Sequence, residues 1–352
     1  MSLRHCLLPC VRGLAPGCFA LVMASGIVAI DAHQHGLTRV ALLLLGFNLV
    51  AYAGLLLATL ARLALFGAGI ARDLRDPARA AGFLTFSAGS CVLASQCLLL
   101  VHWPLLAWSL ALAALLTWLV LLPRFIVTLV QAARQARLVR AIGGGWLIAV
   151  VATQGLAIAA ILLATPGSPW REGLAVLALA WFVFGSLLYL PLIGLIVWRL
   201  LRRPLRPRDL TPPYWITMGA LAISTLAGSL LVQHADAAAV LARWRPLLVV
   251  ATATAWSVAT AWIPLLLALW SWRARALPLR HSREDWTIVF PLGMYTVGSF
   301  ELARALDLAW LQAVPRVGVW VSLAAWALVA SGGARRGWRL LRVAAWRRAR
   351  SA

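Results

Sequence analysis

Lysine, paired cysteines and long polar stretches are all missing from this sequence of 352 residues. All 32 basic residues are arginines, and the absence of lysine is typical of coding bias and says little about function. The five cysteines form no CxxC pair and no Cys/His spacing of a metal site, so we expect neither a metal nor a cofactor. Because no polar stretch is long enough to form a soluble domain, we expect a single domain.

Apolar residues make up 63% of the chain, and the mean hydropathy is +0.88. A soluble protein of this length cannot bury so much apolar surface. Apolar runs of about 18 or more residues recur from end to end, each long enough to cross the hydrocarbon of a bilayer. The sequence therefore predicts an all-α polytopic membrane protein, with one transmembrane domain over residues 1–352 and a basic cytoplasmic tail over 334–352. We expect ten transmembrane spans, at residues 13–30, 40–63, 81–102, 104–123, 144–165, 173–198, 213–233, 246–271, 286–305 and 314–332.

The arginines are divided unevenly between the two sides of these spans. An N-terminus in the cytoplasm puts 26 arginines on the cytoplasmic side and six on the other. Positive residues concentrate on the cytoplasmic side of membrane proteins. We therefore predict a multi-pass protein of the cell membrane whose two termini both lie in the cytoplasm. A pI of 11.8 would suggest nucleic acid in a soluble protein, but membrane orientation explains it here, and no nucleic-acid partner is expected. The basic tail is also expected to contact anionic membrane lipid.

The loops and the span compositions indicate how the helices are arranged. Links on the outer side are mostly short and cytoplasmic links are longer, which favours five hairpins that each run out and back. Most polar and small residues fall in the odd-numbered spans, whereas most even-numbered spans consist of leucine, alanine and tryptophan. Polar residues in a membrane helix need close packing or water. We therefore expect the odd-numbered spans to form an inner ring that the even-numbered spans shield from lipid.

The ninth span, residues 286–305, is the most irregular of the ten. Pro291 removes a backbone donor and clashes with the preceding turn, so we expect it to kink the helix. At 100° per residue, Phe290, Met294, Val297 and Glu301 share one face. That face places an aromatic ring about three turns from a carboxylate near the outer end. This pattern suits a plug in a narrow path.

Acidic residues are scarce, numbering ten, and almost all fall in loops or at span ends. No ion pair or chain of carboxylates is visible within the spans. Proton-coupled pumps and cation channels usually need ionisable groups inside the membrane. The sequence therefore favours a passive path for anions with a positive inner mouth.

Four stretches resemble a known family of membrane transport proteins. They are "LAPGCFALVMASGIVAI" (14–30), "GGGWLIAVVATQG" (143–155), "PPYWITMGALAISTLAG" (212–228) and "WTIVFPLGMYT" (286–296). In this order they resemble the tellurite-resistance/dicarboxylate transporter family, which includes malate permeases, sulfite exporters and plant guard-cell slow anion channels. The resemblance implies ten helices in five hairpins around a central pore, usually in a homotrimer with one pore per protomer. It also implies that a phenylalanine of the ninth helix gates the pore, and the matching position here is Phe290.

The predicted function is therefore an anion channel or transporter that moves small inorganic or organic anions through a pore gated by Phe290. The alternative is an ion-coupled secondary exporter of dicarboxylate, sulfite or tellurite-type oxyanions. A membrane-embedded enzyme is a weaker third reading, because the only suitable cluster, "RHSRED" (280–285), has no partner elsewhere. Helix packing is the competing explanation for each polar or small residue in a span. The residues predicted to line or bend the pore are Gly26, Ser90, Gln154, Thr217, Ser224, Gly228, Pro291, Met294 and Val297.

Overall fold

The computed structural model describes residues 8–9, 11–135, 138–202, 205–278 and 282–349. The chain is helical throughout this part, and no strand occurs in it. Arg280 and His281 of the "RHSRED" cluster and residues 350–352 of the basic tail lie outside the described residues. Ten helices longer than one turn or two follow in chain order: α1 Ala20–Gln34, α2 Thr38–Arg75, α3 Thr85–Val101, α4 Pro104–Arg134, α5 Ile148–Leu163, α6 Arg171–Arg202, α7 Ile216–Gln233, α8 Ala239–Ala276, α9 Trp286–Ala305 and α10 Ala313–Ala349.

Helices of two lengths alternate along the chain. The odd-numbered helices have 15 to 20 residues and the even-numbered helices have 31 to 38. Among the described residues, eight helical segments are long and apolar enough to cross a membrane. Helices α1 and α9 are not among the eight. The all-helical, multi-pass prediction is thus confirmed, while the count of ten spans stays a prediction.

Short 3₁₀ turns precede most of the odd-numbered helices. These turns lie at Ala80–Leu84, Gly144–Leu147, Pro212–Trp215 and Arg283–Asp285. The predicted starts of the third, fifth and seventh spans, at residues 81, 144 and 213, therefore fall in these turns. Two of the turns cross closely, since a Cβ added at Gly144 would lie 2.3 Å from the carbonyl oxygen of Pro213.

The odd-numbered helices pack side by side in a closed ring. Helix α1 contacts α3, α3 contacts α5, α5 contacts α7, α7 contacts α9, and α9 returns to α1. Each even-numbered helix packs against the odd-numbered helix that precedes it. Less than a third of the most apolar stretch of each even-numbered helix is buried inside the chain, whereas that of α7 is wholly buried. The odd-numbered helices therefore form the inner set and the even-numbered helices the outer set, as the difference in polarity between odd and even spans predicts.

Helix α2 differs from the sequence-based expectation. A buried ion pair joins Arg62 to Asp73 at 2.7 Å across a bend at Phe66 in α2, although no ion pair was predicted. Arg79 also approaches Asp73, at 3.0 Å. Helix α9 continues through Pro291, which packs against Gly219 of α7, and the kink expected at Pro291 stays a prediction. Helix α10 carries the start of the basic tail, because it runs on to Ala349.

Candidate functional site

A narrow cavity of about 60 Å³ lies inside the ring. All five inner helices contribute to its wall, which is mostly apolar. Representative lining residues, one from each helix in ring order, are Ile27, Cys91, Ile158, Ile223 and Met294. Because each inner helix presents side chains to the same space, the cavity lies on the axis of the ring.

A second and smaller cavity, of about 10 Å³, lies toward the N-terminal ends of the inner helices. It is again lined by all five of them, with Phe290 contributed by α9. Phe290 is 2% exposed. One turn further along α9, Met294 lines the larger cavity. Phe290 and Met294, one turn apart on α9, therefore line the two axial cavities in turn.

The structure brings three of the predicted site residues to this axis. Phe290 faces the smaller cavity, and Met294 and Val297 face the larger one. They lie on one face of α9 because their spacing of four and three residues follows the helical repeat.

Four other predicted residues contact neighbouring helices instead. The Ser90 hydroxyl lies 2.8 Å from the hydroxyl of Tyr52 on α2. The Gln154 amide donates to the carbonyl of Phe182 on α6 at 3.1 Å. Gly26 and Gly228 lie where helices nearly touch: added Cβ atoms would come within 2.4 Å of Val92 and 2.0 Å of Thr252.

The remaining predicted residues also have partners within the protein. Thr217 donates to the carbonyl of Tyr214, and Ser224 donates to the carbonyl of Ala220, both at 2.8 Å. Pro291 packs against Gly219. Neither hydroxyl depends on water in the pore for a hydrogen-bond acceptor.

A polar cluster lies at the C-terminal ends of the inner helices, and the sequence predicts only one of its members. Glu301 lines the end of the larger cavity together with Gln34 of α1. The helical repeat predicts that Glu301 shares a face of α9 with Phe290, and this spacing is the sequence feature that indicates where Glu301 lies. No sequence pattern pointed to Gln34, because its contact with α9 joins residues 267 positions apart.

Positive charge lies away from the axis. Among the described residues, no arginine lines either axial cavity. An open cavity of about 400 Å³ near the start of α5 and α7 is bordered by Arg140, Arg199, Arg206 and Arg208. In the 3₁₀ turn just before α9, burial raises the pKa of Glu284 above its usual value, and the neighbouring Asp285 carboxylate raises it further. The site thus has an apolar axis with basic groups outside one end.

Comparisons with known proteins point to a family of membrane transport proteins. A family model described as SLAC1, voltage-dependent anion channel, matches residues 13–333. Uncharacterized membrane proteins of two Mycobacterium tuberculosis strains, CDC 1551 and H37Rv, are 41% identical over 143 residues, which cover 40% of this chain and 72% of theirs. An uncharacterized transporter of Methanocaldococcus jannaschii is 22% identical over 299 residues, covering 82% of this chain and 83% of its own.

Proposed function

Because this chain belongs to the SLAC1 family of voltage-dependent anion channels, we propose that it carries small anions across the cell membrane along the axis of its inner helix ring. The observation that supports this most strongly is the axial cavity, which all five inner helices line and which lies one turn of α9 beyond the buried Phe290. An aromatic ring at a narrow apolar constriction blocks ions by its bulk and by excluding water. Phe290 is therefore the proposed gate.

The proposed arrangement has ten spans in five hairpins, with both termini in the cytoplasm. The division of arginines supports this orientation, and the pairing of each inner helix with the helix that follows it supports the hairpins. A homotrimer, with one pore per protomer and membrane lipid around it, is the assembly that the family resemblance implies. Chemical crosslinking in the membrane, followed by mass measurement, tests the trimer.

The contacts described above refine the proposed pore lining. Met294 and Val297 line the proposed path beside Phe290. The contacts of Gly26, Ser90, Gln154, Gly228 and Pro291 with neighbouring helices favour a role in holding the helices together. Thr217 and Ser224 donate to carbonyls one turn earlier in the chain, so their hydroxyls are satisfied without a neighbouring helix.

Replacing Phe290 with alanine tests the gate. We expect Phe290→Ala to raise anion flux severalfold, because it removes the bulky side chain that is the proposed block on the axis. Flux is measured in vesicles that contain the purified protein. Phe125→Ala is the matched control: Phe125 is also 2% exposed, but it packs against Trp146 away from the axis. The control should lose roughly 3–5 kcal/mol of stability without gaining flux.

Two results would contradict the proposal. One is a Phe290→Ala protein that unfolds early like the control and passes no more anion than the wild type. The other is a reversal potential that follows a potassium gradient and ignores a chloride or nitrate gradient. An ion-coupled exporter is distinguished by flux that stops when the gradient of a second ion is removed.

A further inference from the structure

A carboxylate lies at the C-terminal end of the axial cavity. Glu301 accepts a hydrogen bond from the Gln34 amide of α1 at 2.7 Å on one oxygen. Its other oxygen accepts from the Gln233 amide of α7 at 2.9 Å, and its backbone carbonyl accepts from the same amide at 3.1 Å. One side chain thus links three of the five inner helices across the mouth of the cavity. Glu301 is 7% exposed.

The charge of Glu301 is only partly balanced. Arg304, one turn further along α9, lies 3.6 Å from the second carboxylate oxygen, and its side chain is 58% exposed. Water therefore screens the arginine more than it screens the carboxylate. The hydrogen-bonding amides of Gln34 and Gln233 are neutral. An anion at this end of the cavity would meet negative charge that Arg304 compensates only in part.

The two obstacles on the axis lie at different depths. Eleven residues separate Phe290 from Glu301, which corresponds to about 16 Å along a helix. Phe290 lies one turn from the start of α9, on the side that carries most of the arginines. The first obstacle is steric and close to the proposed cytoplasmic mouth, whereas the second is electrostatic and at the proposed outer mouth.

We propose that Glu301 is a charge barrier at the outer mouth that makes conduction asymmetric, with anion efflux faster than influx under equal and opposite voltages. This inference rests on the proposed function. An anion that moves outward crosses most of the membrane voltage before it reaches Glu301, so voltage accelerates efflux steeply. An anion that moves inward meets the barrier first and gains little from the voltage before crossing it. The asymmetry requires no gradient of a second ion.

The test uses Phe290→Ala as background, since it removes the inner obstacle. Currents are recorded with equal nitrate concentrations on both sides, in patches from cells that express the protein in one orientation. We expect current at negative inside voltage to exceed current at the equal positive voltage severalfold. Adding Glu301→Gln, which removes the charge and keeps a similar shape, should bring this ratio close to one and raise influx.

Two further variants make the test specific. Arg304→Gln removes the partial compensation and should increase the current ratio, a change opposite in sign to that of Glu301→Gln. Glu172→Gln is the matched control, because Glu172 is an exposed carboxylate in the first turn of the outer helix α6 and lies off the axis. The control should leave the ratio unchanged. Thermal unfolding of each variant checks that it is folded, and Arg304→Gln carries the test if Glu301→Gln does not fold.

Each outcome separates this inference from the proposed function. A Phe290→Ala protein that conducts no anion contradicts the proposed gate. A conducting Phe290→Ala protein whose current ratio responds neither to Glu301→Gln nor to Arg304→Gln overturns the charge barrier and leaves anion conduction standing. A lower unfolding temperature of Glu301→Gln with an unchanged ratio means that Glu301 is only a structural link.

Discussion

Glycines of the inner helices set the distance between helices at the residue scale. A Cβ added at Gly228 of α7 would lie 2.0 Å from the hydroxyl oxygen of Thr252 on α8, and 3.1 Å from the ring of Phe182. Gly54 of the outer helix α2 has no neighbouring atom within 4 Å of an added Cβ. Small residues in membrane helices commonly allow this close approach. Gly228 therefore allows the inner helix α7 to approach its partner helix α8 closely.

Replacing Gly228 with alanine should lower stability by roughly 1–3 kcal/mol, because the added methyl group overfills a close helix contact. Gly54→Ala is the control, and we expect it to be neutral or slightly stabilising, since alanine is the better helix former. Thermal unfolding of both variants in detergent measures the difference. Equal unfolding temperatures for the two would show that α7 and α8 separate easily at this point.

Sequence alone could place some of the site residues but not others. The positions of Phe290, Met294 and Val297 on one face follow from the helical repeat, and all three face the axial cavities. The hydroxyls of Ser90 and Ser224 could not be placed this way. A serine in a helix can donate to a carbonyl of its own preceding turn, as both do here, so a polar residue in a span does not by itself indicate water.

At the element scale, helix α2 bends at Phe66, whose backbone dihedral angles are not helical. Arg62 before the bend and Asp73 after it form a buried ion pair, and Arg79 approaches the same carboxylate. The buried ion pair thus holds the part of α2 after the bend against the part before it. The sequence predicted a span that ended at residue 63, because arginine and aspartate lower hydropathy whether or not they are paired.

Removing one partner of this buried pair should be costly. Asp73→Leu leaves Arg62 buried without its carboxylate, and we expect a loss of roughly 3–5 kcal/mol. The double variant Arg62→Met/Asp73→Leu should lose less than Asp73→Leu alone, because no unpaired charge remains. Unfolding of the single and double variants is compared under the same conditions. Additive losses would mean that the two residues do not act as a pair.

At the scale of the whole molecule, the arginine distribution predicts the orientation of the chain. Thr38 is the first residue of α2 and Ala78 lies three residues after its last, so these two exposed residues mark opposite ends of one helix. On a cysteine-free background, Thr38→Cys should react with an impermeant thiol reagent added outside the cell, and Ala78→Cys only after the membrane is opened. Reversed labelling of the two sites would contradict the proposed topology.

Polar contacts join the beginning of the chain to its last helix. Asp31 of α1 accepts a hydrogen bond from Ser322 of α10 at 2.6 Å, and Ser25 of α1 accepts one from Trp326 of α10 at 2.9 Å. Most other hydroxyls in the helices donate to their own helix, so a newly made hairpin can enter the bilayer with these groups already satisfied. Asp31 differs: one carboxylate oxygen lies 3.3 Å from His35, one turn later in α1, but the serine that donates to its other oxygen, Ser322, is 291 residues away. During synthesis, α1 therefore carries a carboxylate whose serine donor is absent until the last hairpin arrives.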